Sequence, residues 1–239
     1  MKFRALYLIP LLSVLPIACG TDDGSTDDAR GETPPVAMRD SISSEIESNE
    51  KIILFLGNSL SAGLGVDSDA AFPSLIQQKV DSLGWDFRVV NAGVSGETSS
   101  GGLGRIEWVL REKVDILILE LGGNDGLRGI SADVTKRNLQ EIVSKTRGVY
   151  PDAEIVLAGM QIPPNLGAEY TAEFRAIFPD LARRNDIHLI PFLLEGVGGV
   201  DSMMQNDGIH PNTAGHRRVA ENVWEVLNPI LEEMHEPEV

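Results

Sequence analysis

From Lys51 onward, short apolar runs alternate with longer stretches in which apolar residues recur every three or four positions. Runs of the first kind read as strands and stretches of the second as amphipathic helices. Their alternation predicts a parallel sheet with helices packed on it. Residues 51–56 form a continuous aliphatic run closed by Gly57, the pattern of a strand buried on both faces. A helix follows over 72–84. Pro73 sits in its first turn, Leu75, Ile76, Val80 and Leu83 form one stripe, and Gly84 ends it. Further strands are predicted at 87–90, 116–121, 155–158 and around Leu189 and Ile190, with helices over 103–111, 132–148, 168–184 and 213–231. Five strands with helical crossovers fit an open doubly wound α/β sheet, in which ligands bind beyond the carboxyl ends of the strands. Residues 232–239 are expected to fray.

Ahead of residue 51 the periodicity disappears. Residues 21–50 carry nine acidic side chains against Arg30 and Arg39, with almost no large apolar residue before Ile42. Such a stretch cannot bury enough surface to offset its ordering entropy and is expected to be a disordered linker. Before it come the positive start Met1-Lys2-Phe3-Arg4, an apolar run over 5–15 and the small-residue approach Ile17-Ala18-Cys19-Gly20. That order is a secretory signal, too short to span a membrane. The expected organisation is a signal peptide over 1–18, an acidic linker over 19–50 and one catalytic domain over 51–239. Cys19 is the chain's only cysteine and has no disulfide partner within it. The segment resembles the lipobox of bacterial lipoproteins, with Pro16 departing from the usual Leu. The resemblance implies lipidation of Cys19 and a lipid anchor in a bacterial cell envelope. Gly20 after the cysteine points to the outer membrane. The net charge of −16 lacks the Lys/Arg surface that nucleic acid requires, so nucleic acid is set aside as a partner.

The chemically capable residues cluster after the predicted strands. Ser59 follows the first strand in Gly57-Asn58-Ser59-Leu60-Ser61, where a serine would be exposed at the carboxyl edge. Alone it could equally be a turn residue or a helix cap. A serine hydroxyl needs a neutral imidazole to take its proton, and the imidazole needs an anion to fix its tautomer. Asp207 and His210, in Asp207-Gly208-Ile209-His210-Pro211-Asn212 before the last helix, could supply both. The plainer alternative is a surface loop with an Asx-turn at Asp207 and a solvated His210. Acyl transfer also needs donors for the oxygen that gains charge. The loop Asn91-Ala92-Gly93-Val94-Ser95-Gly96 offers the Gly93 N–H, and Gly122-Gly123-Asn124-Asp125 offers the Asn124 amide. Either loop by itself would be read as a turn.

Taken together and in order, these four pieces resemble the SGNH, or GDSL, hydrolase family. The nearest match is the branch with bacterial thioesterase I/lysophospholipase and arylesterases, on Gly57–Gly63, Asn91–Thr98, Glu120–Gly129 and Asp207–Asn212. The likeness runs from about Ile52 to Leu231. It implies a flavodoxin-like three-layer α/β/α sandwich with a five-stranded parallel sheet, and cofactor-free serine hydrolysis of a small-molecule ester or lipid through an acyl-enzyme. By the resemblance Ser59 is the nucleophile, His210 the base and Asp207 its orienting acid. Ser59 and Gly93 N–H groups with the Asn124 amide form the oxyanion hole. A groove between the loops 95–102, 126–130 and 161–167 would bind substrate, with Leu127, Ile162 and Leu166 along it. One departure is visible: the family usually has Asp where this chain has Asn58, which exchanges a charge for a neutral amide of similar shape.

Other chemistries lack their parts. There is no phosphate-binding or dinucleotide glycine motif, no H-E-x-x-H and no G-x-S-x-G elbow. His216, six residues after His210, does not stack with it on one helix face, and no metal site is implied. A carbohydrate deacetylase would use the same catalytic groups with a different pocket. A catalytically silent surface lipoprotein would have no need of the Ser59, Asp207 and His210 set.

Overall fold

The structure, a computed structural model, describes residues 50–235. The segment expected to be a signal peptide, Cys19 and nearly all of the expected acidic linker lie outside the described residues. Five parallel strands, β1 (Lys51–Gly57), β2 (Phe87–Asn91), β3 (Ile116–Glu120), β4 (Glu154–Ala158) and β5 (His188–Ile190), form one sheet in the order β2-β1-β3-β4-β5. Ile53 is paired with Val89 on one side and Ile116 on the other, so β1 is central and its apolar run is buried on both faces.

Helices cover both faces. On one lie α2 (Phe72–Leu83) and α7 (Thr213–His235), packed on each other. On the other, α5 (Ala132–Val149) packs between α3 (Ser99–Val109) and α6 (Ala168–Asn185). The result is the expected flavodoxin-like three-layer sandwich. Strand order reverses between β1 and β3, and the loops after these two strands carry Ser59 and Asn124. Doubly wound sheets bind ligands at such a switch point.

Three boundaries differ from the sequence expectation. α3 begins at Ser99 and not near 103, although 99–104 is rich in Ser and Gly. Thr98 caps it through its hydroxyl, and the Ser99 N–H and hydroxyl both donate to buried Asp125. A Cβ at Gly102 would lie 2.2 Å from Leu121, so glycine lets this helix sit against the end of β3. Tertiary contacts here override poor helix propensity. The last helix also continues past Leu231 to His235, whose ring stacks on Trp85 at 5.3 Å, while Lys51 Nζ donates to the Met234 carbonyl. Finally, two short helices replace expected loops: α1 (Ser59–Ala62) and α4 (Gly123–Leu127).

Candidate active site

β1 ends at Gly57 and the chain turns at once into α1. Asn58 caps this helix, its side-chain oxygen accepting the Leu60 N–H at 3.0 Å. Ser59 is therefore the first helical residue, and its own N–H is one of the donors a helix start leaves unspent. Beneath the turn lies Glu120, the last residue of β3 and fully buried. Its Oε2 accepts the Asn58 N–H at 3.0 Å, the Ser61 N–H at 3.3 Å and the Ser61 hydroxyl at 2.8 Å, while Oε1 accepts the Asn58 amide at 2.7 Å. Burial pushes the Glu120 carboxyl up to about 7, and the four donors pull in the opposite direction. Only glycine fits at 57, because a Cβ there would lie 2.1 Å from Ser61 Oγ and 2.6 Å from Glu120 Oε2.

His210 reaches the same place from the far end of the chain. Its Nε2 is 2.9 Å from Ser59 Oγ, and its Nδ1 is 2.6 Å from Asp207 Oδ2. An ionised carboxylate only accepts, so the ring proton sits on Nδ1 and Nε2 is left to accept from the serine. The other oxygen of Asp207 accepts the backbone N–H groups of Ile209 and His210 at 2.9 and 3.0 Å. These bonds and the His210 ring hold the carboxyl down at about 2, so it is charged at any working pH. Asn212 then caps α7 by accepting from Ala214 and Gly215, and its amide ties back to the Ser202 and Met204 carbonyls. The three side chains that the resemblance names, Asp207, His210 and Ser59, are brought together here.

The anion site requires one correction. Gly93 is not a free donor: its N–H donates to Asn91 Oδ1 at 3.0 Å. A Cβ there would lie 2.5 Å from the Ala62 nitrogen, so Gly93 is glycine to let the loop press against α1. Three residues on, Gly96 takes a φ of 81° in a turn closed by the Glu97 N–H and the Val94 carbonyl at 3.1 Å. Its N–H has no protein acceptor among the described residues. The Asn124 amide donates to the Glu97 carbonyl at 2.9 Å, which sets it beside this turn with its second hydrogen unspent. Arg105 clamps the turn by pairing both oxygens of Glu97 and the Ala92 carbonyl.

Beside Ser59, Asn124 and His210 opens a cavity of about 420 Å³. Leu127 and Ile162 line it as expected, together with Leu60, Met160, Phe192, Leu194, Met204 and Ile209. Leu166 does not: it lies in the 3-10 turn Pro164–Leu166, is 43% exposed, and is near Gly129. The segment 95–102 does not line the cavity either; from Ser99 on it is α3. The wall formed by 192–209 was not foreseen. It is irregular chain whose apolar residues show no period from which to place them. Glu120 was also missed, although a carboxylate closing an otherwise aliphatic strand was a readable signal. Of the remaining histidines, His216 is buried in α7. Its Nδ1 accepts the Phe72 N–H at 3.2 Å, and burial lowers its pKa to about 4, so it is a neutral core residue. Among the described residues no group of three or more His, Cys, Asp or Glu side chains could hold a metal ion.

Comparison with known proteins places this arrangement. Residues 55–218, which contain every residue of the site, match the model of the GDSL-like lipase/acylhydrolase family. The chain is 44% identical to esterase TesA of Pseudomonas aeruginosa over 180 residues, covering 75% of this chain and 89% of that protein. It is 39% identical to the thioesterase 1/protease 1/lysophospholipase L1 of Escherichia coli, over 75% of this chain and 84% of the relative. Among solved structures, the psychrotrophic esterase EstA from a Pseudoalteromonas species, inhibited by monoethylphosphonate, superposes with a TM-score of 0.72. The two are 32% identical over 77% of this chain and all of that one.

Proposed function

Because the chain belongs to the GDSL-like lipase/acylhydrolase family and is a carboxylic ester hydrolase, we propose that Ser59 is its nucleophile and His210 its general base. The observation that carries the assignment is the unbroken chain from Asp207 Oδ2 through the His210 ring to Ser59 Oγ, at 2.6 and 2.9 Å. As Ser59 Oγ attacks the acyl carbon, its proton passes to His210 Nε2, and Asp207 stabilises the imidazolium. The carbonyl oxygen becomes an oxyanion that accepts from the Ser59 N–H, the Gly96 N–H and the free hydrogen of the Asn124 amide. Collapse breaks the bond to the leaving group, which departs with the proton from His210. Water, deprotonated by the same nitrogen, then releases the acid from the acyl-enzyme. The apolar cavity beside Ser59 takes the hydrophobic part of a small ester or lipid substrate. A fluorophosphonate probe is expected to label the protein on Ser59, and Ser59→Ala to abolish both labelling and hydrolysis of short p-nitrophenyl esters. Retained hydrolysis by that variant would refute the assignment.

The second part of the proposal is that the protein is held in a bacterial cell envelope by lipid on Cys19. It rests on the order of positive start, apolar run, small residues and lone cysteine in the first 20 residues. Among the described residues no helix is long and apolar enough to cross a membrane. Cys19→Ser should move the protein from the membrane fraction to the soluble one and stop palmitate incorporation. Wild-type protein that is already soluble and unlipidated would contradict the anchor.

A further inference from the structure

The turn that presents Ser59 is buried at Asn58, Ser59 and Ser61, and on either side of the serine the N–H groups of Asn58 and Ser61, the Asn58 amide and the Ser61 hydroxyl all point down to one side chain. That side chain, Glu120, is the common acceptor for two backbone N–H groups, one hydroxyl and one amide within the four residues that hold the nucleophile. The orientation of Asn58 is not free. Its oxygen is committed to the Leu60 N–H at 3.0 Å, so its NH₂ must face Glu120. Residue 58 and residue 120 are therefore a matched pair, donor to acceptor, and Gly57 is kept bare to let them meet. An acid at 58 would set two carboxyl groups face to face in the same space, where one of them would have to hold a proton.

We infer that Glu120 is the positioning residue of the nucleophile, clamping the turn 58–61 from beneath, and that Asn58 is the neutral donor that lets its carboxylate do so. The inference rests on the reading of Ser59 as nucleophile. Glu120 does not touch substrate; it acts by fixing Ser59 Oγ within reach of His210 Nε2 and holding the Ser59 N–H toward the developing oxyanion. A displacement of about 1 Å at such a point costs on the order of a hundredfold in rate.

The pairing makes a specific test possible. In Glu120→Gln the new amide can keep its oxygen under the Asn58 N–H and Ser61, but its NH₂ then meets the NH₂ of Asn58 at hydrogen-bond distance. Turning Asn58 over costs the cap on Leu60, and turning Gln over puts an NH₂ against two backbone N–H groups, so no flip cures the mismatch. In the double variant Asn58→Asp, Glu120→Gln, the roles are exchanged: Asp accepts from Gln and still caps Leu60, and every donor is again satisfied. We expect Glu120→Gln to lower kcat about tenfold to a hundredfold with KM within about twofold. The double variant should return kcat to within about threefold of wild type. Glu120→Gln at wild-type kcat, or a double variant no better than the single one, would overturn the inference. Should Glu120→Gln not fold, Ser61→Ala removes one donor of the clamp, and a lower kcat at unchanged KM supports the inference while an unchanged kcat overturns it. Failure of the Ser59 assignment is read separately, from fluorophosphonate labelling that survives Ser59→Ala.

Discussion

Ser59 and His210 meet at 2.9 Å but are held by different parts of the molecule in different ways. The serine stands at the end of a central strand, 6% exposed, on a turn whose polar groups are spent on a fully buried carboxylate. The histidine rides an irregular turn in which Asp207, its side chain 44% exposed, bonds to the ring and to two backbone groups within three residues. The proposed nucleophile is thus positioned by the core, and the proposed base by a local device that the core hardly feels. Damage to the first region should cost stability and activity together, whereas damage to the second should cost activity alone.

The sharpest break of this contrast comes from the base side. Asp207→Asn keeps the shape of the turn but loses the charge that fixes the His210 tautomer, and kcat should fall by roughly 10⁴. Because the side chain is half in water, thermal unfolding should stay within about 0.5 kcal/mol of wild type. A large loss of stability in that variant would show the turn to be part of the core after all.

A smaller effect separates two buried groups on stability alone. Glu120, raised to about 7, is the ionised acceptor of its four donors above that pH and takes up a proton below it, whereas the unfolded chain holds one only below about 4.5, so its contribution falls as pH rises from 4.5 to 7. His216, lowered to about 4, stays neutral in the fold while the unfolded chain protonates below 6.5, so its contribution falls as pH drops from 6.5 to 4. Each amounts to on the order of 3 kcal/mol, and between pH 4.5 and 6.5 they oppose one another. Urea unfolding across this range should therefore separate the variants from wild type in opposite senses. Relative to wild type, His216→Gln should lose stability as pH rises and Glu120→Gln should gain it. Parallel curves for all three proteins would remove both groups from the account.

What the sequence made legible follows from which signals were local. The aliphatic runs and their spacing located the five strands, whereas the Asp207 to His210 spacing alone left a plain surface turn open and took its meaning from the resemblance. Gly93 was misread although Asn91, the side chain that spends its N–H, stands only two residues back; its packing against Ala62 joins distant segments and had no local signal. Distance along the chain hid Glu120: its meaning lies in Asn58 and Ser61, 62 and 59 residues away. The cavity wall over 192–209 was opaque because irregular chain has no periodicity to betray which side chains point inward. Leu166, by contrast, was read from its loop position alone, and that loop turns it outward.

The central claim is that acyl transfer passes through a covalent bond to Ser59, and trapping that bond tests it most directly. Wild-type protein mixed with an excess of p-nitrophenyl butyrate and quenched in acid within the first turnovers should carry a butyryl group, and peptide mass spectrometry should place it on Ser59. An acyl group on another residue, or none while p-nitrophenol is released at the full rate, would contradict the account.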